Sequence, residues 1–184
     1  MKTSNLTLVS LIVLLVSLVA TGEHQESRIL TWPVLAEAGQ VLDGTVVPAA
    51  GQPWQCLYLS QVGKLGTTRT FNILVLDDVV PTAGQYAIEG QIRYGGIEGV
   101  AYLEMWNILP DGLRCFTRTL ASAGPMSAIT GTADWRPFAL PFDLQGNRPP
   151  RVRLEINLVL PGGGEVEIGP LRLVNLSPDG RSRA

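Results

Sequence analysis

The chain has 184 residues, 46% hydrophobic and 16% charged, with a formal net charge of −2. That balance lacks the concentrated positive surface needed to displace counterions from phosphates, so no nucleic-acid partner is expected. One histidine, His24, and two cysteines, Cys56 and Cys115, cannot furnish a closed zinc site, and they leave a Ser or Cys nucleophile without its usual base.

The first 22 residues read as a signal peptide. Lys2 gives a positive start, Leu6 to Ala20 form an apolar run, and Ala20-Thr21-Gly22 places small residues before a cut ahead of Glu23. The run is short for a bilayer span, which needs roughly 20 apolar residues. Cleavage gives a secreted or periplasmic, envelope-facing protein, and an uncleaved segment would be a membrane anchor. Residues 23–176 have the length of one domain with a proper core. The polar end, residues 177–184, reads as a disordered tail.

Period-two alternation dominates this domain, and Gly and Pro punctuate short runs, which predicts an all-β fold. The expected strands, in chain order, are Arg28 to Leu35, Val41 to Val47, Gln55 to Val62 and Thr70 to Leu76, the last ending at Asp77-Asp78. Gln85 to Tyr94 and Val100 to Ile108 follow, joined by Gly95-Gly96 as a hairpin link. Leu113 to Leu120 comes after the turn Pro110-Asp111-Gly112. Ala121 to Gly131 reads as a loop. Trp135 to Phe142, Arg151 to Leu160 and Glu165 to Val174 complete about ten strands. So many strands in so short a chain bury their apolar faces most simply in a two-sheet β-sandwich or jelly roll.

Alternation also assigns faces. Val152, Leu154, Ile156, Leu158 and Leu160 point inward; Arg151, Arg153, Glu155, Asn157 and Val159 point outward. Ala101, Leu103, Met105 and Ile108 are expected inside, with Val100, Tyr102, Glu104 and Trp106 opposite. Tyr86, Ile88, Ile92 and Tyr94 share one side, and Glu89, Gln91 and Arg93 the other. If these strands share a sheet, one outer face collects Gln91, Arg93, Tyr102, Glu104, Trp106, Arg153, Glu155 and Asn157, with Arg93, Tyr102, Glu104, Trp106, Arg153 and Glu155 as the candidate ligand-binding residues. Rings beside carboxylates and guanidiniums suit a sugar: the rings stack on C–H faces and the polar groups take hydroxyls. The same residues also serve as cross-strand pairs on a solvated sheet, each stabilising by roughly 0.2–1 kcal/mol. Trp32 and Trp54 read as core or edge packing, and Trp135 as closing a strand end.

Other features are weaker. Cys56 and Cys115 permit a disulfide in an exported chain, or stay as two thiols. Asp77-Asp78 at a turn has the oxygen chemistry of a calcium ligand, but adjacent aspartates at turns are common without metal, and no metal site is assigned. Asn175-Leu176-Ser177 fits the glycosylation sequon. Glu104 and Glu155 would suit glycoside acid/base work only at about 5–10 Å separation. No phosphate loop, nucleophile elbow or His-rich motif is present, so neither catalysis nor a cofactor is expected.

The segment Gly131-Thr132-Ala133-Asp134-Trp135-Arg136-Pro137-Phe138-Ala139-Leu140-Pro141-Phe142, then Arg151 to Leu160 and Glu165 to Leu173, resembles the carbohydrate-binding-module-like, galactose-binding-type jelly rolls of exported bacterial proteins. Gly99 to Trp106 carries the same resemblance, which covers roughly residues 67–174. It implies a jelly roll with a sugar-binding face and a non-catalytic binding role, with a carbohydrate as the ligand. Many such modules hold a structural calcium with an aspartate of the last strand. Here that stretch reads Glu167-Ile168-Gly169-Pro170-Leu171, so the calcium is not carried over. The rival reading is a structural or interaction domain of the cell envelope, with a protein partner on the same face.

Overall fold

The computed structural model describes residues 27–79, 84–143 and 151–176. The signal segment, His24 and the tail at 177–184 lie outside these residues. The described chain is all-β apart from one short helix. In order it runs β1 (Ser27–Leu30), α1 (Trp32–Glu37), β2 (Thr45–Pro48), β3 (Gln55–Gln61), β4 (Arg69–Val79), β5 (Gln85–Ile108), β6 (Arg114–Arg118), β7 (Ile129–Asp143), β8 (Val152–Leu160), β9 (Gly164–Ile168) and β10 (Leu171–Asn175).

These strands make a two-sheet sandwich of the jelly-roll kind. In the first sheet the N-terminal half of β5 pairs with β7 on one side and with β10 and β9 on the other. Beyond them, β1 adds to β10, and β3 and β2 add to β9. In the second sheet the order is β4, β8, β5, β6. All ladders are antiparallel. The inner faces share one core, with Leu57, Ile88, Ile92, Leu140 and Ile168 from the first sheet and Ile73, Leu103, Met105, Leu154, Ile156 and Leu158 from the second.

The hinge of this architecture is β5, and it corrects the expected hairpin. Gly95-Gly96 does not reverse the chain; β5 runs for 24 residues through both sheets. Its pairing with β7 slips at Tyr94, Ile97 and Ala101, and Gly96 (φ 62°) and Gly99 (φ 84°) take the left-handed backbone that bulges need. The bulges invert the parity of the strand. Tyr86, Ile88, Ile92 and Tyr94 are buried before them, and Ile97, Ala101, Leu103 and Met105 after them. A strand crossing from one layer to the facing layer must turn its apolar side over to keep it in the core. Ile108, expected inside, therefore lies on the outer parity, and Asn107 is the buried neighbour. Its side chain accepts a hydrogen bond from the buried Tyr86 hydroxyl.

Three further expectations change. Arg28 to Leu35 is not one strand: Pro33 stands in the first turn of α1, where its missing N–H costs nothing. Trp32 is fully buried, and its indole N–H is shared between the carbonyls of Ile168 (2.7 Å) and Gly169 (2.8 Å). Glu165 to Val174 splits into β9 and β10 at Gly169-Pro170. Asp77-Asp78 lies inside β4 rather than at its end, and Asp77 binds Arg153 at 2.8 Å. Cys56 in β3 and Cys115 in β6 are free thiols in strands of different sheets, so the bridge is not made.

Candidate functional site

The outer face of the second sheet carries Tyr102, Glu104, Trp106, Arg153 and Glu155 together. Registers place Glu104 between Arg118 and Asn157, and Trp106 between Phe116 and Glu155. Glu104 is buried, at 6% exposure, and both oxygens are taken. Oε1 accepts from the Trp106 indole (2.9 Å) and the Asn157 amide (3.0 Å); Oε2 accepts from Arg118 (2.9 Å). Burial pushes the Glu104 pKa up, but those hydrogen bonds and the Arg118 charge outweigh it, and the carboxyl titrates below its ordinary range. Glu155 is gripped by Arg114 at 3.3 Å and Arg153 at 3.0 Å, and Arg153 reaches on to Asp77. The hydrogen bond to Glu155, followed by Asp77, raises the Arg153 pKa. Guanidiniums lie over the rings: Arg114 over Trp106 at 5.2 Å, and Arg118 over Phe116 at 4.4 Å and Tyr102 at 5.2 Å. Three arginines meet three carboxylates here, and each is spoken for.

Arg93 is elsewhere. The parity inversion in β5 puts it on the outer face of the first sheet, apart from the other five. There it binds Glu167 at 3.1 Å and approaches Asp134 at 3.8 Å. With Gly95, Thr132, Asp134, Glu165 and Glu167 it borders a hollow of about 370 Å³. Gly95 makes the depression: it sits opposite Glu165 in the ladder and offers no side chain to fill the space. Tyr58 donates its hydroxyl to Glu165 at 3.2 Å.

A second hollow of about 410 Å³ continues along the same strands. On β5 the first takes residues 93–95 and the second 89–91; on β7, 132–134 and then 137–139; beyond β9, Pro170 and Arg172 follow Glu165 and Glu167. Trp54 and Trp135 pack edge to face, with ring centroids 4.7 Å apart. Trp54 also walls the second hollow. Its ring rests against Gly169, where an added Cβ would come within 2.9 Å of Cη2, so the glycine is what seats the indole. The Trp135 indole N–H is buried without an acceptor among the described residues.

Trp54, Asp134, Trp135, Glu165 and Glu167 were not singled out as site residues from the sequence. Trp54 lies in a weakly patterned stretch, and only the topology brings it to β7 and β9. Among the described residues no group of three or more His, Cys, Asp or Glu side chains is placed to hold a metal ion, and no helix is long and apolar enough to cross a membrane.

No protein-family profile and no curated protein matches the sequence. Solved structures similar to this chain include carbohydrate-binding modules, and also the enzymatically active domain of a bacteriophage CBA120 tailspike protein and an infectious bursal disease virus structure. TmCBM61, solved in complex with β-1,4-galactotriose, is 13% identical, with 84% of this chain and 90% of that one covered and a TM-score of 0.48. A family 11 module from Clostridium thermocellum, in complex with a β-1,3-1,4-mixed-linked tetrasaccharide, is 11% identical, with 82% and 85% covered and a TM-score of 0.45. The CBM22-1 xylan-binding domain of Paenibacillus barcinonensis Xyn10C is 14% identical, with 73% and 83% covered and a TM-score of 0.44.

Proposed function

We propose that the protein is an exported, non-catalytic module that holds a saccharide along the outer face of the first sheet. The observation that carries this reading is the pair of hollows that follow one another along β5 and β7, with charged groups around the first and the Trp54 indole in the wall of the second. Carboxylates accept from hydroxyls, Arg93 donates to them, and the Trp54 ring offers a face to C–H groups, which together form a concave site with convergent polar groups. Tyr102, Glu104, Trp106, Arg153 and Glu155 take the other role weighed for them, a ladder of ion pairs and ring contacts that stiffens the second sheet. A general acid needs a raised pKa, and that of Glu104 is lowered, which favours a non-catalytic role for this pair of carboxylates.

The test is a glycan array probed with the protein and two variants. Selective binding that is lost in Trp54→Ala and kept in Trp106→Ala, with both variants folded by circular dichroism, is the expected result. The reverse pattern moves the site to the second sheet. A second reading, a protein-interaction domain of the envelope, is favoured by one feature: Leu113, Phe116 and Leu120, on and beside the edge strand β6, are 55%, 50% and 48% exposed. Silence of a folded protein on the array, together with self-association in sedimentation, would support that reading.

A further inference from the structure

The two hollows differ in chemistry. The first is bordered by three carboxylates, a guanidinium and a threonine. The second is walled by Ile29, Trp54, Pro125, Pro137, Ala139 and Pro170. Its charged members are occupied with each other, since Arg172 binds Glu89 at 2.8 Å. Gln91 and the Trp54 indole N–H are then the other side-chain groups there that can hydrogen-bond. A hydroxyl pressed against proline rings without a partner costs free energy, whereas a methyl group gains it. Ile29, 67% exposed on the edge strand β1, is an aliphatic side chain that such a group would cover.

We propose that the saccharide held on this face carries an apolar, methyl-terminated substituent, and that the second hollow seats it. The inference rests on the saccharide reading of this face. From Arg93 to Glu89 is four residues of extended strand, about 13 Å, so one oligosaccharide can fill both hollows with its hydroxyls in the first. An O-acetyl group and the methyl of a 6-deoxy sugar share this chemistry.

The experiment is an array in which each oligosaccharide is printed O-acetylated and after alkaline de-O-acetylation, with 6-deoxyhexose-ended glycans printed beside their hexose counterparts. The unmodified protein is expected to favour one substituted series by about tenfold or more, the usual worth of a methyl-sized group in an apolar pocket. Ala139→Gln places an amide in the second hollow from a half-buried surface position; it should erase the preference, read as the ratio of substituted to unsubstituted binding within that variant. Equal binding of all forms, abolished by Trp54→Ala, overturns this inference and leaves the saccharide reading standing. A preference that survives both Ala139→Gln and Ile29→Ser also overturns it. Binding to nothing on the array overturns both.

Discussion

Removing the Glu104 carboxylate should destabilise the protein through the partners it leaves behind. Its Oε1 takes two donors, Trp106 and Asn157, and its Oε2 takes Arg118. In Glu104→Gln the amide oxygen can keep the first two, but the NH2 then faces the Arg118 N–H. One charge-assisted bond is lost, a cost of about 1.5–3 kcal/mol. Glu104→Ala orphans all three donors, and breaking a buried pair in this way costs about 3–5 kcal/mol; the figure sits at the low end here because the Arg118 side chain is 34% exposed and water can reach it. Urea unfolding at pH 7, with the slope unchanged, measures both. The pH dependence follows from the direction of the shift. The folded-state pKa lies below the unfolded one, so the stabilisation is complete above the unfolded value of about 4.3 and fades as the pH falls through the folded value. The gap between wild type and Glu104→Ala should therefore narrow in acid. A gap under about 0.5 kcal/mol at pH 7, the range of ordinary surface substitutions, would refute the reasoning.

Two other outcomes test the frame around the site. Trp32→Phe removes the indole N–H shared by the Ile168 and Gly169 carbonyls and part of a fully buried ring, so it should cost at least about 1–3 kcal/mol in the same unfolding assay; a neutral result would mean that those carbonyls are not anchored by the indole. The Cys56 thiol is fully buried, and burial, followed by the Glu167 carboxylate, pushes its pKa up to about 11. Iodoacetamide at pH 8 should therefore leave Cys56 unlabelled in the native protein and label it in urea, which peptide mass mapping can follow; a native-state adduct on Cys56 would contradict the burial.

The strands that could be read from the sequence were those with one apolar face and one wet face. Val152 to Leu158 alternates, and β8 appears there with the inward residues as expected, although Val159, expected outside, is buried as well. Gln55 to Val62 and Thr70 to Leu76 fall on β3 and β4, although Ile73 to Leu76 are buried on both faces. Misreadings cluster where a local signal had two meanings. Gly95-Gly96 has the composition of a hairpin turn and equally that of a bulge. Pro33 marks a strand breaker and equally the first turn of a helix. Gly169-Pro170 is a two-residue interruption in an otherwise continuous alternation, and only the second neighbour of β5 reveals that β9 and β10 are separate strands.

The candidate site follows the same logic one level up. Alternation gives each residue a face within its own strand, but it cannot say that two runs are one strand whose parity inverts between them. Arg93 and Tyr102 were both correctly placed outward, and the bulges at Gly96 and Gly99 then send them to opposite sides of the sandwich. The residues that remain beside Arg93 are joined through topology alone: Glu165 and Glu167 by the β9 ladder, Asp134 by β7, and Trp54 by the room above Gly169. Two of the determining positions, Gly95 and Gly169, act by having no side chain, and a missing group leaves no periodicity to find. Hence a sequence pattern recovers a ladder such as Arg118–Glu104–Asn157, where every position is filled, more readily than a hollow, which depends on what is left out.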